Sequence, residues 1–201
     1  MKIKLYGRPF NRTDRVQWTL EELELTYEYR KLDVFAREHR GDEFRSKYGL
    51  TRLPFVELDG EVLFESGAIM LHLAETFRER KDLLASVATT ARAEIYQWVF
   101  FGLSTLEAAD AALGVDDEPA PAASLQEVLG FLERHLKGRE YFAASRFTLA
   151  DIAIATGLQW FDRALLRGRP ALENYLVRMN ARAGRRRVTS QVEHPSEVVA
   201  G

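Results

Sequence analysis

Residues 52–75 read RLPFVELDGEVLFESGAIMLHLAE. Within it, residues 56–64 form two short apolar runs around Asp59-Gly60, a dipeptide suited to the tight turn of a β-hairpin. Pro54 opens the first run, at a strand start where a missing N–H does no harm. Glu65-Ser66 closes the second, and an almost wholly apolar helix follows over residues 67–79. An acid and a hydroxyl at the seam between two apolar segments have two explanations. Ser66 can cap the helix, worth about 1 kcal/mol. Alternatively the pair faces a ligand, because free N–H groups and the helix dipole favour an anion at that point.

Upstream of the hairpin, Ile3 and Leu5 mark a short strand. Residues 12–24 place Val16, Trp18, Leu20 and Leu23 at helical spacing amid Arg, Gln and Glu. Residues 27–34 read as a second strand, and a helix between two strands implies a right-handed crossover and a parallel pair. Residues 35–51 are polar and irregular, with one short helix expected. After Arg80 the strand signals stop. One long helix is expected over 87–113, broken by GVDDEPAP with Gly114, Pro119 and Pro121. Another covers 123–137. The stretch FTLADIAIATGLQWFDRAL is the most apolar helix of this half, opened by Thr148 and Asp151 as a variant capping box. Pro170 starts a helix to about residue 181. From Gly184 the chain is polar and expected to fray, and Arg185-Arg186-Arg187 reads as a solvated run. The expected architecture is an α+β, thioredoxin-like domain over residues 1–80, a four-stranded mixed sheet with helices on its faces. An all-α domain over 87–201 follows it.

The whole chain, 201 residues, suits one large domain or two small ones. Its formal net charge of −2 offers no attraction for nucleic acid or an anionic membrane. No signal peptide and no apolar run of membrane-spanning length is evident, so the cytoplasm is the expected location. There are no cysteines. Disulfides and a cysteine nucleophile are therefore excluded, and any thiol chemistry must come from a bound thiol. No cluster has metal-ligand spacing, and no glycine-rich loop forms a phosphate cradle.

Four stretches together resemble the cytosolic glutathione S-transferases: LYGRPFNRTDRVQWTLEELELTYE, RLPFVELDG, LFESGAIMLHLAE and RFTLADIAIA. Their order and spacing agree with that family over nearly the whole length. The resemblance implies a thioredoxin-like glutathione-binding domain, a helical second domain and a homodimer. It also implies that Leu53 presents its backbone to the cysteinyl part of glutathione, with Pro54 in the cis form. Glu65 and Ser66 would hold the γ-glutamyl ammonium and carboxylate. His39, in EHRGDEF, and Arg52 fit the theta-like pattern and would hold the glycine carboxylate. The family's usual Asn-Pro ahead of this loop is replaced by KYGLT.

The thiol activator is where the chain departs from the family. One branch uses a tyrosine at the end of the first strand, where Tyr6 stands. Another uses a serine at the start of the first helix, where Asn11 stands, four residues before Arg15. An amide N–H can donate to sulfur without itself ionising, and a helix N-terminus adds positive potential. Asn11 is thus expected to stabilise the thiolate, ahead of Tyr6, although Asn11 also reads as a helix cap. Phe10, Trp98 and Phe101 are the expected pocket aromatics. The implied function is transfer of glutathione, as co-substrate, to a hydrophobic electrophilic small molecule, a detoxification chemistry needing no metal. Glutathione-dependent reduction of peroxides or disulfides, and a non-enzymatic dimeric scaffold, are the alternatives.

Overall fold

The computed structural model describes residues 1–49, 52–111 and 122–190. Strand β1 (Ile3–Gly7), helix α1 (Thr13–Glu22) and strand β2 (Glu28–Lys31) form the first unit. A 3-10 turn (Glu38–Arg40) and helix α2 (Asp42–Tyr48) lead to β3 (Phe55–Leu58), β4 (Glu61–Phe64) and α3 (Ser66–Thr76). The sheet order is β2-β1-β3-β4, with β1 parallel to β2 and antiparallel to β3. This is the expected thioredoxin-like arrangement. The hairpin turns on Asp59 (φ 51°) and Gly60 (φ 98°), both left-handed, which matches the twist of the flanking strands.

Alternation along the strands separates two apolar layers. Ile3, Leu5 and Val56 face the main core with Ile69 and Leu73 of α3. Tyr6 and Phe55 point the other way, into a smaller cluster with Leu32 and Phe44.

The remaining chain is helical. Helix α4 (Thr90–Phe100) passes through a π-helical segment (Phe101–Leu106) into α5 (Glu107–Ala111). Then come α6 (Ala122–Leu136), α7 (Leu149–Leu158), α8 (Pro170–Asn180) and α9 (Ala183–Ser190). Every residue of α7 is buried. Its capping box is complete: Thr148 accepts from the backbone of the first turn, and Asp151 accepts from the Thr148 N–H at 2.9 Å. At Gly102 an added Cβ would lie 3.1 Å from the Ala153 backbone, a tight contact, so glycine eases the close crossing of the π-helical segment and α7.

Two expectations change, and a third falls where nothing is described. The apolar helix stops at Leu158, and residues 163–166 form a separate 3-10 turn. The breaking loop at 114–121 lies outside the described residues. Most instructively, residues 183–190 do not fray, and Arg185-Arg186-Arg187 is not simply solvated. Arg185 is 6% exposed, with its guanidinium over the Trp18 ring and 3.8 Å from Asp14. Arg187 pairs with Glu21, and Arg182 donates two bonds of 2.8 Å to Glu22. The polar side of α1 is therefore buried beneath α9. Glycine at 184 admits this contact, because a Cβ there would sit 2.9 Å from the Glu22 carboxylate.

Burial pushes the Glu22 carboxyl upward, but bonds from Arg182 and Lys81 outweigh it and lower the carboxyl from 4.5 to about 2. A carboxyl depressed on folding contributes stability that is present above its unfolded value and lost as pH falls through the folded one. Stability measured by urea unfolding should thus decline between about pH 4.5 and 2. In Glu22→Gln the stability at neutral pH should be lower and this part of the acid dependence should vanish. An unchanged acid profile would remove Glu22 from the account.

Candidate active site

The end of β1 and the start of α1 form one wall of a cleft between the sheet and the helical half. The connection between them is tight: a Cβ on Gly7 would meet Thr13 Oγ1 at 2.2 Å, and the same oxygen accepts from the Arg8 N–H at 3.2 Å. Asn11 sits at the helix entrance. Its Oδ1 accepts from the Thr13 N–H at 2.7 Å, and its carbonyl accepts from Asp14 N–H at 3.0 Å. With the oxygen committed to the helix, the amide Nδ2 is the free end, and Asn11 lines the cleft. Cap and donor are therefore compatible uses of one side chain.

Three adjoining hollows of about 280, 350 and 340 Å³ make up the cleft, and Arg12 lines all of them. Arg52, Leu53, Pro54, Glu65 and Ser66 line the central one. The Leu53–Pro54 peptide bond is cis. Ser66 is buried at the first turn of α3, where the backbone N–H groups have no intrahelical partners. Glu65 caps that helix with φ 67°, a left-handed conformation that costs a non-glycine residue on the order of 1–3 kcal/mol. His39 lies in the hollow with Asn11 and Arg52. Burial, then Arg40 and Arg8, hold its pKa below the ordinary 6.5, so the ring is neutral at neutral pH. Arg40 Nε donates to His39 Nε2 at 3.3 Å, which places the ring proton on Nδ1.

An ion network fixes the cleft floor. Glu107, from α5, accepts from Arg12 at 2.6 and 2.8 Å and from the fully buried Arg15. Trp160 lies under both guanidiniums, 5.1 Å from that of Arg15. Truncating one partner of such a buried pair typically costs several kcal/mol, because the other charge is stranded.

Tyr6, Trp98, Phe101 and Phe10 are not brought to this cleft. Tyr6 is 3% exposed on the opposite face of the sheet, stacked on Phe55 and donating to Glu57 at 3.2 Å. Burial, then Tyr48 and Glu57, push its hydroxyl pKa well above 10. Trp98 is packed among Phe101, Phe131, His135 and Phe142 inside the helical half. Phe101 shares that cluster through Trp98 and Phe131. Phe10 is 63% exposed, outside the cleft, with only its backbone N–H tied to Asp14 at 3.1 Å. The apolar lining is instead Phe100, Leu103 and Leu71. Residues 98 and 101 share one helix face, and residue 100 falls on the other. The basic pair Arg8 and Arg12, flanking Asn11, was visible in the sequence but unused. Glu107 could not have been found, since only the tertiary structure joins it to Arg12.

Comparison with known proteins gives a consistent set of likenesses. A model of the glutathione S-transferase N-terminal domain matches residues 1–75, and a model of the C-terminal domain matches residues 122–178. Glutathione S-transferase 3 of Zea mays is 30% identical over 163 residues, covering 74% of this chain and 73% of that protein. Elongation factor 1-gamma of Trypanosoma cruzi is 30% identical over 136 residues, 64% of this chain, which spans only 33% of that longer protein. Among solved structures, glutathione transferase F7 of Populus trichocarpa superposes with a TM-score of 0.82 at 26% identity, covering 94% of this chain and 98% of its own.

Proposed function

The chain belongs to the glutathione S-transferase family, and we propose that it is a glutathione transferase of theta-like type in which Asn11 replaces the usual serine. The observation that carries this is the orientation of Asn11. Its oxygen is held by the Thr13 N–H at 2.7 Å, leaving Nδ2 as a donor at the N-terminus of α1. A free thiol titrates near ~8.5, so activity at neutral pH needs the thiolate stabilised by about 1.4 kcal/mol for each unit of lowering. A donor amide, the helix N-terminus and the nearby Arg12 all act in that direction. Tyr6 takes no part, because its hydroxyl is engaged with Glu57 on the far side of the sheet.

Glutathione fits the charges lining the cleft. Glu65 takes the γ-glutamyl ammonium, and Ser66 with the α3 N-terminus takes the adjacent carboxylate. The Leu53 backbone pairs with the cysteinyl unit ahead of cis-Pro54. Arg52 takes the glycine carboxylate, with neutral His39 as a subsidiary donor. The strained backbone at Glu65 supports a binding role, since such conformations concentrate at ligand sites. Residues 1–80 would form the glutathione-binding domain and residues 87–201 the helical domain that closes the cleft. Detoxification of an electrophile in the cytoplasm is the physiological setting we infer. The site would equally support reduction of a peroxide or disulfide by two glutathiones in turn. A non-catalytic role is a further reading, favoured by the likeness to elongation factor 1-gamma.

Asn11→Ala should raise the thiol pKa of bound glutathione and lower turnover roughly 10–100-fold, equivalent to ~1.4–2.7 kcal/mol, with affinity little changed. Ultraviolet titration of the thiolate reads this directly. An unshifted thiol in the alanine variant would leave Asn11 as a cap only and assign the activation to another group. Glu65→Ala should weaken glutathione binding roughly 30-fold, about 2 kcal/mol, in a folded protein. Isothermal titration with unchanged affinity would sink the clamp. In light scattering the 23.0 kDa chain should run at twice its mass, and a monomer at micromolar concentration would count against the homodimer.

A further inference from the structure

The loop that delivers Asn11 is folded back on the first turn of α1 by two side chains. Thr13 Oγ1 accepts from the Arg8 N–H at 3.2 Å, and Asp14 Oδ1 accepts from the Phe10 N–H at 3.1 Å. Phe10, the residue immediately before Asn11, has φ 61°. That left-handed angle is unfavourable for a bulky side chain and persists only where the surroundings impose it. The Phe10 ring is 63% exposed, so packing does little to impose it, and the bond to Asp14 is what holds the backbone. A first-turn aspartate that merely complements the helix dipole can do so from the surface. Asp14 is instead buried, and its second oxygen lies 3.8 Å from Arg185 of α9. Arg185 is fixed in turn by the Trp18 ring beneath it and by its bond to Gln159. The carboxylate thus faces the Asn11 loop with one oxygen and the last described helix with the other.

We propose that Asp14 is a positioning residue for thiol activation: by holding Phe10 in its left-handed conformation, it aims the Asn11 amide at the sulfur of bound glutathione. This rests on the transferase reading above. Asp14 lines none of the three hollows of the cleft, so it acts through Asn11 rather than on the sulfur. Its charge and its hydrogen bond work in opposite directions. A nearby anion disfavours a thiolate, whereas a correctly aimed amide donor favours one. Removing the side chain therefore raises the thiol pKa only if positioning outweighs the field. Slight misplacement of a group at the reacting atom is enough for that.

Two variants separate the hydrogen bond from the charge. Asp14→Asn loses the charge and keeps an oxygen for the Phe10 N–H, while Asp14→Ala loses both. Asp14→Ala should raise the thiol pKa of bound glutathione by about one unit and lower kcat roughly tenfold, with the KM for glutathione little changed. Asp14→Asn should keep the pKa at or below the wild-type value and retain most of kcat. In an Asn11→Ala background, Asp14→Ala should add no further rise. Amide hydrogen exchange of the protein without glutathione gives an independent readout. The Phe10 N–H should exchange more slowly than in an unfolded chain, lose that protection in Asp14→Ala and keep most of it in Asp14→Asn. A thiol pKa unshifted or lowered in Asp14→Ala, or a full further rise on top of Asn11→Ala, overturns the positioning role while the transferase reading stands. If the wild-type protein binds no glutathione, the transferase reading fails and the positioning role falls with it. Should Asp14→Ala not fold because Arg185 is stranded, Asp14→Ala with Arg185→Met removes the pair together and is read in the same way. A wild-type Phe10 amide that exchanges at the unfolded rate overturns the proposal without any variant.

Discussion

Helix α1 buries charge on the side that faces away from the sheet, and the rest of the structure is arranged to neutralise it. Asp14, Arg15 and Glu22 are each less than a tenth exposed. Left unpaired, any of them would cost several kcal/mol. Their partners come from distant parts of the chain: Glu107 for Arg15, Arg185 for Asp14, and Lys81 with Arg182 for Glu22. These pairings tie the thioredoxin-like half to α5, to the connection after α3, and to the α8–α9 turn. Apolar packing between α1 and α7 supplies the attraction, while the ion pairs set which surface of α1 meets which helix. Specification of that kind is the best-supported use of buried polar groups.

The same helix also presents the candidate chemistry. Its N-terminus carries Asn11 and Arg12, and Glu107 grips Arg12 on one oxygen and Arg15 on the other. A carboxylate at the structural junction thereby also lines the cleft. Arg12 is positioned by the docking of the two halves rather than by local backbone preference. The π-helical segment contributes to this, since it sets the angular register at which Leu103 and Glu107 emerge toward α1 and α3. Such segments are found disproportionately at functional sites.

On the opposite wall the requirements are local. The β3–β4 hairpin ends in Glu65, held in a left-handed conformation, and α3 begins at the next residue. Ser66 is buried there while Glu65 remains exposed. A hydroxyl, free N–H groups and a carboxylate are thus presented within two residues, an arrangement suited to a zwitterion. The cleft has one wall fixed by short-range geometry and one fixed by long-range ion pairing.

That difference explains what could be read from the sequence. Alternation, the Asp59-Gly60 turn and a helix between two strands determine the mixed sheet. The RLPFVELDG and FES stretches determine the local wall, because all of their groups lie within a few residues of one another. The Thr148 capping box is legible for the same reason. Helix faces were the weak point. Periodicity marks an apolar stripe but does not say whether the polar stripe meets water or another helix. The chain from Gly184 onward consequently read as a fraying tail, Trp98 and Phe101 as pocket aromatics, and Tyr6 as a candidate activator. Only the tertiary structure decided that Arg185 and Arg182 complete α1, that Trp98 belongs to the helical core, and that Phe100 and Leu103 line the cleft. The physical reason is distance along the chain. A charge on α1 whose partner lies 92 residues away at Glu107, or 160 away at Arg182, leaves no periodic or local trace of the pairing.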